Sequence, residues 1–169
     1  MGWLIALGIV FLLAVLQTSF FSVIRVFSAV PDLVLPAVVA IAVYDRERTG
    51  TIAGIIGGYF VDALGGVGLS LSPLVYMICG CGAALLVYSI LRRDFFSWLV
   101  ITAGALVISG IAALICVAVN VESAAFTVSQ AFSRLLVPQF FASLVAGIPV
   151  YFIIKLVWLS FFNNREMEG

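Results

Sequence analysis

Long apolar runs, separated by short polar clusters, make up most of this chain. Six runs can be delimited, at residues 2–23, 32–44, 51–64, 73–91, 95–119 and 135–162. A helix needs about 20 residues to cross a bilayer core of roughly 30 Å, and four of the runs come close to or exceed that length. The runs at 32–44 and 51–64 are shorter, so we expect protein to shield their ends or the membrane to thin around them. The pattern predicts one all-α integral membrane domain over residues 1–169, a compact bundle of about six transmembrane helices.

The chain is organised around residues 31–84, where glycines recur at every fourth position. Gly50, Gly54 and Gly58 follow a charged hinge at residues 45–48. Residues four apart share a helix face, so these three form a glycine stripe on which two backbones can approach closely. Tyr76 and Gly80 begin a second face of this kind in the next helix. We predict internal packing of the third helix against the fourth, in preference to a docking surface for a partner.

Asp62 continues the glycine stripe by one further turn. An acid within an apolar segment is a functional-site hypothesis by default, and its place on this face predicts that it points at protein. The more ordinary interpretation is a structural acid held by a helix end, a serine hydroxyl or an arginine. Arg25 and Arg134 are the candidate partners at the same end of the predicted bundle.

Two further polar residues precede the stripe. Gln17 interrupts the first run late, where its amide either hydrogen-bonds to a neighbouring helix or meets headgroups at the interface. The sequence leaves both interpretations open. Asp32 is predicted to cap the N-terminus of the second helix, with Pro36 near its first turn, where proline is tolerated.

Composition and charge agree with a membrane protein. The chain is 64% hydrophobic and 9% charged, whereas soluble domains carry about 25% charged residues. The basic side chains concentrate on the side of the membrane that would hold both termini, which the positive-inside rule assigns to the cytoplasm. Trp98 is predicted to anchor the fifth span at the membrane interface.

The sequence argues against an enzyme and against a metal or cofactor site. Histidine is absent, which removes the commonest general base and metal ligand. Cys79 and Cys81 face different directions on a helix, so we expect them to pack as small apolar residues. The scattered basic residues do not indicate nucleic-acid binding.

The order of these features resembles the rod shape-determining protein MreD family of bacteria. The matching residues are Leu16-Gln17, Pro31-Asp32-Leu33, the glycines at 50, 54, 57 and 58 leading to Asp62, and then Gly68, Ser70, Leu74 and Tyr76. The resemblance covers roughly the first 90 residues. It implies a non-enzymatic subunit of the cell-elongation machinery in the cytoplasmic membrane. Its partners would be MreC, bound through its transmembrane segment, and further MreB and the pair of RodA and its transpeptidase.

The same resemblance implies a six-helix fold similar to the S component of energy-coupling-factor vitamin transporters, which supplies the alternative function. S components typically dock their transport partner through an Ala-x-x-x-Ala face on the first helix. Here Ala6 is followed by Val10 and Ala14 by Thr18, so that face is missing. An adaptor would instead recognise a partner helix inside the bilayer through a small-residue face. The candidates are Gly50–Gly58, Tyr76–Ala84, and a third set at Gly104, Gly110 and Ala113.

Overall fold

The computed structural model describes residues 2–19, 31–44, 47–65, 72–89, 94–120 and 137–163. These residues form helices and no strands, so the all-α prediction is confirmed for this part of the chain. The helices are α1 (Gly2–Ser19), α2 (Val34–Tyr44), α3 (Glu47–Gly65), α4 (Ser72–Ser89), α5 (Phe95–Asn120) and α6 (Val137–Asn163). Arg25 and Arg134 lie outside the described residues.

Helix α2 is the core of the bundle. It contacts all five other helices, and its residues from Val34 to Val43 are buried. The reason is in its sequence, which is apolar on every side, and a helix of that kind has no face to give to water. Its 11 residues span only about 16 Å. The short second run is therefore a central helix that the others surround with protein.

The surrounding helices carry large apolar side chains on their outer faces. Leu12 on α1, Phe96 on α5 and Leu156 on α6 are 67%, 72% and 66% exposed, and α3 and α4 have similar residues. Soluble monomers rarely expose contiguous apolar surface on this scale, so the outer surface fits an apolar environment.

Judged by helix length, the structure supports fewer membrane spans than the six predicted from the sequence. Two segments are long and apolar enough to cross a membrane, Phe95–Ile115 in α5 and Val137–Ser160 in α6. Only 28% of each of these windows is buried inside the protein, so neither is a core helix like α2. The apolar parts of α1, α3 and α4 are shorter than 18 residues. The structure thus supports association with a membrane. By their length, α5 and α6 could cross it.

The glycine stripe packs α3 against α4, as predicted. A Cβ built on Gly58 would lie 2.5 Å from the Cα of Pro73, and one on Gly54 would overlap the carbonyl of Tyr76. One turn further along, Gly50 and Gly80 meet backbone to backbone. The two helices are therefore antiparallel, and their first two small-residue faces are closed by each other.

Candidate functional site

The N-terminus of α2 is held by Asp32. Its Oδ1 atom accepts hydrogen bonds from the backbone N–H groups of Val34 and Leu35, both at 3.1 Å. This is the geometry of an N-cap, in which a carboxylate satisfies N–H groups that have no partner within the helix. The predicted capping role of Asp32 is therefore confirmed.

Two other helices are tied to the same residue. The hydroxyl of Tyr76 on α4 donates to Asp32 Oδ2, and the backbone N–H of Asp32 donates to Ser143 Oγ on α6 at 2.7 Å. Ser143 is fully buried and Tyr76 is 4% exposed. Hydrogen bonds of this kind in a low-dielectric interior fix the relative register of the helices they join.

Gln17 completes the arrangement from α1. Its Oε1 atom accepts from the N–H groups of Leu33 and Val34, at 2.8 and 3.2 Å. The residue is 8% exposed, so its amide oxygen bonds inside the protein and does not face headgroups. Of the two interpretations left open by the sequence, the structure favours the contact between elements. We call Gln17, Asp32, Tyr76 and Ser143 the α2 cap cluster.

The electrostatics of the cluster rest on hydrogen bonds. A buried carboxylate loses its hydration, a cost of several kcal/mol unless donors replace the water. Asp32 receives two backbone donors and one phenol, and it lies at the N-terminus of α2, where the helix dipole favours negative charge. None of the described side chains forms an ion pair with it.

Asp62, the acid that the sequence pattern emphasised, is not hydrogen-bonded to the α2 cap cluster, although it is close enough to Tyr76 to interact with it electrostatically. It is only partly buried near the end of α3, and within the described residues it makes no hydrogen bond or ion pair. Its predicted pairing with Arg25 or Arg134 falls on residues outside the described part. The central acid is Asp32, and the signal for it was its capping position immediately before a helix that is apolar on all sides.

An aromatic group that the sequence did not predict contacts α2 both at Pro36 and at Tyr44. Trp98 is fully buried, and its Nε1–H donates to the carbonyl of Pro36 at 3.2 Å. The prediction of an interfacial anchor at Trp98 is therefore wrong, since its indole faces the core. Tyr44 and Tyr151 share a hydroxyl–hydroxyl bond of 2.6 Å, and the Tyr151 ring packs on Trp98 with centroids 4.8 Å apart.

A cavity of about 300 Å³ lies between α5 and the first turn of α6. Its walls are mainly apolar, with Leu106 and Gly110 on α5 facing Phe140 on α6. The polar residues of its lining are Asp32, Ser109 and Gln139. Asp32 thus belongs both to the α2 cap cluster and to the wall of a cavity.

The third small-residue set does not form one face. Gly110 and Ala113 line the cavity, whereas Gly104 is exposed with no atom within 4 Å of a Cβ position. Residues six apart are about 120° from one another around a helix, which explains the separation. Of the small residues named from the sequence, Gly104 is the one left on the outer surface without an internal neighbour at its Cβ position.

The geometry of the α2 cap cluster is architectural. Its described hydrogen bonds join the start of α2 to α1, α4 and α6. Within the described residues, no group of three or more Cys, Asp or Glu side chains is arranged to hold a metal ion. Cys79 is buried with its Sγ 3.9 Å from the Ala105 carbonyl, consistent with the packing role expected of it.

Comparison with protein-family models, with curated proteins and with solved structures gave no match for this chain.

Proposed function

We propose that this protein is a non-enzymatic membrane subunit of the bacterial cell-elongation complex, similar in role to MreD. In this proposal it is a multi-pass bundle of about six transmembrane helices in the cytoplasmic membrane, with both termini in the cytoplasm. It binds the transmembrane segment of MreC, and through that complex it helps to organise MreB and the pair of RodA and its transpeptidase. Its contribution to peptidoglycan synthesis and cell shape is to position these partners.

The observation that carries the proposal is the convergence of the residues behind the MreD resemblance. Gln17, Asp32 and Tyr76 lie far apart in sequence, yet all three meet at the start of α2. The glycines of the same set pack α3 on α4. If the motif residues serve one common architecture, they should meet in space, as these three do. A chance set of weak motifs would have no reason to meet.

The outer surface supports recognition inside the bilayer. Lipid gives no hydrophobic drive for helix association, so a partner helix must find close packing on an accessible small residue. Gly104 on α5 offers this, because it is exposed and a Cβ there would meet nothing within 4 Å. Val100, Val107 and Ile111 surround it as exposed apolar side chains.

The S-component alternative keeps one observation in its favour, which is the cavity beside Asp32. A cavity of about 300 Å³ is at the lower end of the size of known ligand sites. Against this alternative, Ala6, Val10 and Ala14 are fully buried against the core. The position at which S components typically dock their transport partner is therefore occupied here by internal packing.

Purification of the tagged full-length protein from its native membrane separates the two functions. The proposal predicts that MreC and other elongation proteins co-purify and that extraction of the protein releases no vitamin. A Gly104→Phe variant serves as the control, because its added ring would block the proposed contact face and should reduce MreC recovery at equal expression. Recovery of a stoichiometric vitamin without elongation proteins would replace the adaptor with an S component.

A further inference from the structure

Beyond the adaptor role, we propose that the cavity between α5 and α6 binds a small amphiphile whose ammonium group pairs with Asp32 and whose body is apolar. Its lining includes Val107 and Ile111, two of the exposed residues around Gly104, so the cavity is tested on the protein alone, without MreC. Its size sets the ligand class first. At the packing density of protein interiors, about 300 Å³ accommodates on the order of a dozen non-hydrogen atoms.

The apolar walls determine the body of the ligand. Leu106 and Gly110 on α5 and Phe140 on α6 offer hydrocarbon and an aromatic ring to the cavity. Such surface binds alkyl or aryl groups, and it gives no compensation to a ligand that is polar throughout. Ser109 and Gln139 add two neutral hydrogen-bonding groups to the lining, which suit a ligand with few polar atoms.

Asp32 determines the head of the ligand. A carboxylate has about four acceptor positions, and protein donors occupy three of them, two on Oδ1 and one on Oδ2. Among the described residues no donor meets the remaining position on Oδ2, and Asp32 lines the cavity. A donor is therefore favoured there and an anion is repelled.

An ammonium is favoured over a hydroxyl because the charge of Asp32 lacks a cation among the described residues. Lys155, the basic residue whose side chain is described, lies on α6 about 18 Å along the helix from Ser143. An ammonium and a hydroxyl can both donate to the carboxylate, but the ammonium adds the attraction between two full charges, which is strong in a low-dielectric site. A ligand with an ammonium head should therefore bind about tenfold or more tightly than the same ligand with a hydroxyl head.

The test uses three probes of one shape, namely 4-phenylbutylamine, 4-phenylbutanol and 4-phenylbutyrate. Binding to the full-length protein in an uncharged detergent is measured by calorimetry, with empty micelles titrated to correct for partitioning. The amine should bind at least tenfold more tightly than the alcohol, and the acid should not bind. Equal affinities for the three probes, or no binding of the amine beyond the micelle control, would overturn the proposal.

Two variants locate the binding. Asp32→Asn keeps the capping oxygen but removes the charge, so the preference for the amine over the alcohol should disappear while alcohol binding remains. Ala113→Phe fills the cavity from α5 and replaces no residue of the α2 cap cluster, and it should abolish binding of both probes. Ala63→Phe, an exposed alanine on α3 outside the cavity, is the matched control and should bind like the unmodified protein. If Asp32→Asn does not fold, amine binding by Ala113→Phe at the unmodified affinity is sufficient to reject the site.

Discussion

At the scale of single residues, the most consequential side chain is Asp32. It caps α2, accepts from Tyr76 and, through its own N–H, bonds to Ser143. Loss of the carboxylate would keep the backbone bond to Ser143, but it would leave the Leu35 N–H and the Tyr76 hydroxyl without their described partner. A buried donor or acceptor without a partner costs about 1–3 kcal/mol, which exceeds the net gain from an average hydrogen bond.

We predict that Asp32→Ala lowers the free energy of unfolding by about 2–4 kcal/mol, through the lost cap and the unpaired Tyr76 hydroxyl. Asp32→Asn should cost about 1 kcal/mol or less, because asparagine is also a good N-cap and its side chain still has an acceptor. Unfolding in mixed micelles, followed by circular dichroism, measures both values. Equal losses in the two variants would show that capping and hydrogen bonding do not account for the role of Asp32.

At the scale of elements, the α3–α4 pair depends on glycine at several positions. The backbones approach so closely at Gly54 and Gly58 that a single added methyl group overlaps Tyr76 or Pro73. The overlapped atoms are backbone, which cannot move aside as a flexible side chain can. Not every glycine has this role, since Gly82 on α4 has open space where a Cβ would lie.

Gly54→Ala is therefore expected to destabilise the bundle by about 1–3 kcal/mol or more, the usual range for overpacking in a well-packed interior. Gly82→Ala is the matched control within the paired helix. It should be neutral or slightly stabilising, because alanine is the better helix former by up to about 1 kcal/mol. Thermal stability of the purified variants in detergent gives the comparison. A Gly54→Ala protein as stable as Gly82→Ala would show that close backbone contact does not stabilise the α3–α4 pair.

At the scale of the whole molecule, the sequence predicted what depends on local pattern. The helices, the glycine contact between α3 and α4, and the cap at Asp32 each follow from residues within one or two turns of one another. The sequence could not predict that Trp98 bonds to Pro36, because aromatic residues near a helix start serve equally at an interface or in a core. The sequence pattern likewise favoured Asp62 over Asp32 as the central acid. It could not show which acid is buried, because that depends on the helices that surround each one.

The central position of α2 is the other global feature that the pattern left open. Its length suggested a short span, and its uniform apolar character allowed either a lipid-facing or a core helix. The packing of five other helices around α2 makes it a core helix. No local sequence pattern predicts how those five helices arrange themselves. With α2 inside, recognition of a partner falls to the outer faces of the other helices, and α5 offers Gly104 as an open contact point.

Site-directed crosslinking in living cells tests the partner face most directly. Cysteines are introduced singly at Gly104, Gly82 and Gly8, the last two also having open Cβ positions, in a background lacking native cysteines. Each is paired with cysteines along the transmembrane segment of MreC. We predict a crosslink from Gly104→Cys that recurs at every third or fourth partner position, as for a helix lying along α5. No crosslink from Gly104→Cys, with both proteins present in the membrane, would contradict this prediction.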